Sequence, residues 1–210
     1  MAETDLTFYY APRSRAGVVF WMLEELGVPY RMEKFSLNKH EHKVPDFLKI
    51  NPMGKVPTIR HGDTVVTEGA AICCYLADAF PEAGLAPALG DRRRGTYLRW
   101  MFFSPSVLEP AMAAKAFKLP DLPPRTVGWG DFDTAIETAV TAIAGRDYVL
   151  GDQFSAADVV LGSMLRYGMM FQVFPKLPEF VAYTERLSAR PALRRVDTLD
   201  EDYAKEVGDA

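Results

Sequence analysis

Near residue 80 the sequence changes texture, and that change restricts the chain to two parts of different kinds. Up to Phe80, strand and helix signals alternate. Pro81 to Gly90 is rich in proline, glycine and alanine, the composition of a connection between domains. Beyond it only helical spacing recurs. The expectation is an α/β domain over 1–80, a linker over 81–90 and an all-helical domain over 91–210. A chain of 210 residues has room for two such domains and their cores.

Within the first part, Leu6 to Tyr10 is aromatic-rich and ends before Pro12, as a buried strand would. From Ser14 to Leu26, Val18, Val19, Met22, Leu23 and Leu26 recur at helical spacing, and Gly27 with Pro29 supplies a stop. Tyr30 to Leu37 reads as a second strand, and Asp46 to Ile50 as a helical turn halted by Asn51-Pro52. Val56 to Arg60 and Thr64 to Thr67 flank a turn at His61-Gly62-Asp63 and predict a hairpin. Glu68 to Phe80 is helical and stops at Pro81. The order β-α-β, helical turn, β-β-α fits a thioredoxin-like α/β layer.

The second part predicts helices over 91–118, 126–144, 156–174, 177–187 and 191–206, with Pro120, Pro123 and Pro124 separating the first two. Ser155-Ala156-Ala157-Asp158 is a variant capping box, and Phe154 and Val159 occupy the positions of a hydrophobic staple. A net charge of −4 argues against a nucleic-acid surface. The runs Arg92-Arg93-Arg94 and Arg194-Arg195 are flanked by acids and read as solvated helix faces. Cys73 and Cys74 are adjacent, which disfavours a disulfide between them. Their apolar neighbours suggest buried thiols in a reducing compartment. With no leader segment and no apolar run near the roughly 18 residues of a membrane span, a cytoplasmic protein without membrane partners is expected.

Four segments carry a resemblance. Ser14 to Tyr30 holds Ser-Arg-Ala, a tryptophan and Leu23-Glu24-Glu25-Leu26-Gly27-Val28-Pro29-Tyr30. Asn51-Pro52-Met53-Gly54-Lys55-Val56-Pro57 follows, then Glu68-Gly69-Ala70-Ala71-Ile72, then the Phe154 to Asp158 cap. In this order they resemble cytosolic glutathione S-transferases of bacterial type with a serine-like active site. That fold is a thioredoxin-like glutathione-binding domain joined to a helical bundle.

The resemblance implies that Val56, before a cis Pro57, offers its N–H and C=O to the cysteinyl part of glutathione as an added strand would. Taken alone, Pro57 would merely open a strand. Glu68 would pair with the γ-glutamyl amino group, and Gly69, at a helix start that favours anions, would meet the α-carboxylate. Without the resemblance, Glu68 reads as an acid complementing a helix dipole. Glycine stands where the family has serine, which deletes a hydroxyl but keeps the backbone N–H. His42 and Lys55 would bind the glycine carboxylate, although His42 in its charged loop also reads as simply exposed.

For thiol activation the candidate is Ser14, ahead of the first helix. Lowering a thiol from a pKa of about 8.5 by two units needs roughly 2.7 kcal/mol of preference for the thiolate. One hydrogen bond to the charged sulfur plus a helix end can supply that. Ser14 also reads as a plain helix cap. Tyr9, Tyr10 and Arg15 are the alternates, and alternation lets only one tyrosine face the site. Family members with cysteine at the position of Arg15 use a mechanism closed to this chain, and Ala16 removes a second family hydroxyl.

Tyr97, Trp100, Met101 and Phe103 are the candidates for an electrophile pocket, against the alternative that they form a core stripe. No metal-ligand spacing is present. The resemblance further implies a homodimer, with glutathione and a small hydrophobic electrophile as partners. Conjugation, with peroxide reduction as a further reaction, is the leading function. A non-catalytic glutathione transferase-like binding or scaffold protein, and a glutathione-dependent isomerase or dehalogenase, remain open on the same fold.

Overall fold

The computed structural model describes residues 5–120, 123 and 125–209; of the three expected helix-breaking prolines, Pro124 lies outside them. The chain divides into two compact units, residues 1–83 with 190–210, and residues 84–189.

The first unit is built on a four-stranded sheet of order β2-β1-β3-β4. β1 (Leu6–Tyr10) pairs parallel with β2 (Arg31–Lys34) and antiparallel with β3 (Thr58–His61). β3 pairs antiparallel with β4 (Thr64–Thr67). With a hydrogen-bonded neighbour on each side and cover on both faces, every residue of β1 is buried, which is why it reads as a continuous apolar run. Phe8 and Tyr10 pack with Phe20 on one face, and Tyr9 packs with Phe35 and Phe47 on the other. Gly62, at φ 58°, opens the two-residue turn between the paired His61 and Thr64.

α1 (Gly17–Leu26) ends where Gly27 takes the left-handed conformation and its N–H bonds Leu23 C=O. α2 (Pro45–Ile50) follows β2, and α3 (Gly69–Ala79) follows β4 and packs on α1. The expected helix start at Ser14 moves to Gly17, because Ser14 to Ala16 form a tighter turn in which Gly17 N–H bonds Ser14 C=O at 3.2 Å. The second strand is also shorter than expected.

The second unit contains α4 (Arg93–Phe103), a π-helical turn Ser104–Leu108, α5 (Glu109–Ala116), α6 (Phe132–Ile143), α7 (Ala156–Met170) and α8 (Pro178–Ser188). The expected single helix over 91–118 is one helical run widened at Pro105, which has no N–H to donate and whose ring crowds the preceding turn. The cap of α7 forms as expected. Asp158, fully buried, accepts from the N–H groups of Val149 (2.7 Å) and Ser155 (2.9 Å), the Ser155 hydroxyl (3.0 Å) and the Tyr183 hydroxyl (2.8 Å).

Two domain expectations are corrected. Residues 84–90 belong to the helical unit: Leu85 is buried, its C=O accepts from Ala156 N–H at 2.8 Å, and Pro87 C=O accepts from Arg94. The last helix, α9 (Pro191–Val207), belongs to the sheet unit and packs on α1. Arg190 forms two hydrogen bonds to Glu25, at 2.6 and 2.8 Å, and Arg195 bonds Glu24 at 2.7 Å. Tyr203 stacks on Phe20. The helical period of this segment is plain in the sequence, but a periodic stripe does not state which surface it covers.

Candidate active site

Three turns of the sheet unit carry the expected site residues. The first, Ala11 to Ala16, leads from β1 into α1. Arg13 adopts φ 52° there, the left-handed region that side chains disfavour. The half-buried Ser14 hydroxyl donates to Ala11 C=O at 2.6 Å, and its oxygen accepts from Ala16 N–H at 3.1 Å. Tyr10 is fully buried and its hydroxyl donates to Asp200 on α9. Burial, reinforced by that hydrogen bond to a carboxylate, raises its pKa. It has no surface at which an external thiol could meet it. Tyr9 is buried between Phe35 and Phe47. Arg15 is half-buried at the same turn.

The second turn runs from Asn51 to Thr58. Val56 and Pro57 are joined in cis, and neither the N–H nor the C=O of Val56 bonds a described residue. Asn51, only 4% exposed, organises this loop: its amide donates to Lys55 C=O (2.9 Å) and Thr58 Oγ1 (3.0 Å), and its oxygen accepts from Met53 N–H (3.1 Å). In the sequence Asn51 reads as a helix stop and as the first residue of the Asn51-to-Pro57 motif, with no sign that its side chain holds the loop. A lone asparagine in the loop that carries Val56-Pro57 was the available signal.

The third is the start of α3. Glu68 sits at φ 67°, ψ 114°, outside the usual regions for a side-chain-bearing residue, with its carboxylate exposed and making no cap to the helix. The N–H groups of Gly69, Ala70 and Ala71 carry no hydrogen bond to a described residue, so this 11-residue helix presents open donors and the positive end of its dipole.

The second and third turns meet at Gly69, against the start of α1. A Cβ built there would stand 3.1 Å from Val18 Cγ1 on α1 and 3.8 Å from Pro57 Cγ. Val18 thus crowds the space a side chain at residue 69 would need, and the Val56-Pro57 and Glu68-Gly69 motifs lie side by side against the start of α1. Near the second turn, the Nδ1 atom of His42 is buried with no hydrogen-bond partner among the described residues. Burial first, then the charges of Lys43, His40 and Lys55, lower the His42 pKa. Lys55 is exposed. A buried ring nitrogen among cations suits a ligand anion.

The expected electrophile-pocket residues behave differently. Tyr97 and Met101 are 0% exposed and Trp100 is 3% exposed, so they present no surface to a substrate. Only Phe103, packed edge-on against Trp100, is partly open. The apolar stripe that suggested a pocket is the buried face of α4. Among the described residues no cluster of three or more His, Cys, Asp or Glu could hold a metal, and no helix is long and apolar enough to cross a membrane.

Residues 15–79 match the family description "Glutathione S-transferase, N-terminal domain", and residues 134–191 match "Glutathione S-transferase, C-terminal domain". Glutathione S-transferase Z2 of Arabidopsis thaliana is 30% identical over 176 residues, 78% of each chain. The chain belongs to the glutathione S-transferase family. Among solved structures, a glutathione transferase from Methylococcus capsulatus superposes with a TM-score of 0.78 at 29% identity, over 93% of this chain and 98% of that one. A glutathione transferase homolog from Sulfitobacter with bound glutathione gives 0.76 at 26% identity, over 93% and 98%. His42, Lys55, Val56, Pro57, Glu68 and Gly69 all lie inside the N-terminal match, Ser14 lies one residue before it, and α4 lies outside both matches.

Proposed function

We propose that this family member binds glutathione in the sheet unit, holds it as the thiolate and transfers it to a small hydrophobic electrophile. The observation that carries the reading is the convergence at Gly69. It brings the Val56 backbone groups and the first N–H groups of α3, which bond no described residue, and the first turn of α1 into one neighbourhood. Val56 would pair with the cysteinyl backbone, Glu68 with the γ-glutamyl amino group, and Gly69 N–H with the α-carboxylate. His42 and Lys55 would take the glycine carboxylate. The glutathione bound in the Sulfitobacter homolog supports the ligand.

Ser14 would activate the thiol. Its single proton now goes to Ala11 C=O, so rotation of the hydroxyl toward the sulfur is the step that converts a turn-stabilising contact into thiolate stabilisation. The same thiolate serves conjugation or peroxide reduction, and the electrophile decides between them. A cytoplasmic location and a homodimer with α3 and α4 at the interface complete the reading, both by analogy with the family.

One observation favours a non-catalytic binding protein instead. The Ser14 hydroxyl spends its one proton within its own turn, and Val18 crowds the place of the family serine's side chain at Gly69. Calorimetric titration with glutathione, followed by the thiolate absorbance of the complex against pH, separates the two. Binding with a thiol pKa well below that of free glutathione supports the enzyme. Binding with an unshifted titration supports the binding protein.

A further inference from the structure

We propose that Asp200, near the far end of the chain on α9, is a positioning residue for the Ser14 turn. Both oxygens of its carboxylate accept from Arg13 N–H, each at 3.1 Å, and it also accepts from the Tyr10 hydroxyl. It therefore ties the last residue of β1 to the residue immediately before Ser14. Arg13 is the one whose backbone is left-handed. An arginine does not settle there by its own preference, so the surroundings must hold it. Among the described residues, Arg13's own hydrogen bonds and ion pair all run to the C-terminal segment. Besides Asp200, Glu201 pairs with the Arg13 guanidinium at 2.8 Å, and Asp209 C=O accepts from it at 3.3 Å.

α9 is in turn pinned to the other end of α1 by Arg190 on Glu25 and Arg195 on Glu24. The clasp thus spans α1 from its last turn to the loop before its first. Releasing Asp200 frees the Arg13 backbone, and with it the direction of the Ser14 side chain. The tripeptide's other contacts, at Val56, Glu68 and Gly69, lie on separate turns and keep their geometry. Asp200 would then control the thiol rather than the binding.

The proposal rests on Ser14 being the thiol's hydrogen-bond donor, and the test distinguishes the two. The thiolate absorbance of bound glutathione is titrated in the wild-type chain, Asp200→Ala and Asp200→Asn, with kcat and KM measured alongside. Asp200→Ala should raise the bound thiol pKa by about one unit, a tenfold loss of thiolate below that pKa. Its kcat should fall by a similar factor, with KM for glutathione nearly unchanged. Asp200→Asn keeps one acceptor oxygen for Arg13 N–H and should recover part of the shift. If the alanine variant fails to fold, the asparagine variant alone is read, and a shift of the same sign supports the proposal. A shifted wild-type titration with wild-type behaviour in the variants overturns the role of Asp200 alone. An unshifted wild-type titration overturns both this proposal and the thiolate reading.

Discussion

The Ser14 hydroxyl donates its one proton to the Ala11 carbonyl at 2.6 Å, closing the turn that joins β1 to α1. A serine that serves a thiolate must give up that bond, so turn stability and activation compete for the same proton. Ser14→Ala should raise the pKa of bound glutathione and lower turnover near neutral pH, with affinity little changed. If Ser14 serves only its turn, the variant loses about 1 kcal/mol of stability and the titration stays put. Absorbance of the complex against pH, with a melting curve, reads both outcomes.

Gly69 and Val18 form a second coupled pair. Serine at residue 69 restores a hydroxyl for the ligand's α-carboxylate, but its Cβ would meet Val18 Cγ1 at 3.1 Å. Gly69→Ser alone should therefore gain little. Combined with Val18→Ala it should tighten glutathione binding by about 1.5 kcal/mol, the low end for a hydrogen bond to a charged group. A double-mutant cycle by calorimetry checks this. Additive effects of the two substitutions would mean that Val18 does not limit the site.

His42 supplies a pH test. Its pKa is lowered by burial and by neighbouring cations, so the folded protein favours the neutral ring. A bound carboxylate favours the protonated ring, so binding should take up a proton. Affinity for S-methylglutathione, whose sulfur does not ionise, should rise as pH falls from 7 through the depressed His42 pKa. His42→Gln should flatten that dependence in calorimetric titrations. The same depression makes stability decline as pH falls below about 6.5, where the unfolded chain protonates first.

Asp158 is tested by stability. Its removal leaves buried donors from Val149, Ser155 and Tyr183 without an acceptor. Asp158→Ala should cost at least about 2 kcal/mol, or about 4–8 °C in Tm for a chain of this size. Differential scanning calorimetry measures it.

Much of the sheet unit was legible because its signals are local. The stop at Gly27 and the hairpin at Gly62, like the cap at Ser155 in the helical unit, each depend on residues within a few positions of one another. The candidate-site motifs Val56-Pro57 and Glu68-Gly69 were legible as short signatures, but their backbone geometry was not, since a proline by itself does not choose cis and Glu68 sits at φ 67°, which side chains disfavour. The pocket assignment failed at Tyr97, Trp100 and Met101, since an apolar stripe looks the same whether it lines a cavity or fills a core.

The sequence by itself determined the element types, the change from α/β to helix near residue 80, and the family. Each follows from side-chain periodicity, turn chemistry or short motifs. Only the tertiary structure decided where α9 belongs, how Asn51 holds the Val56 loop, and that Tyr10 is spent on Asp200. Asp200 and Arg13 are 187 positions apart. Their contact depends on the whole unit folding around α1, and no local pattern of residues encodes a partner at that distance.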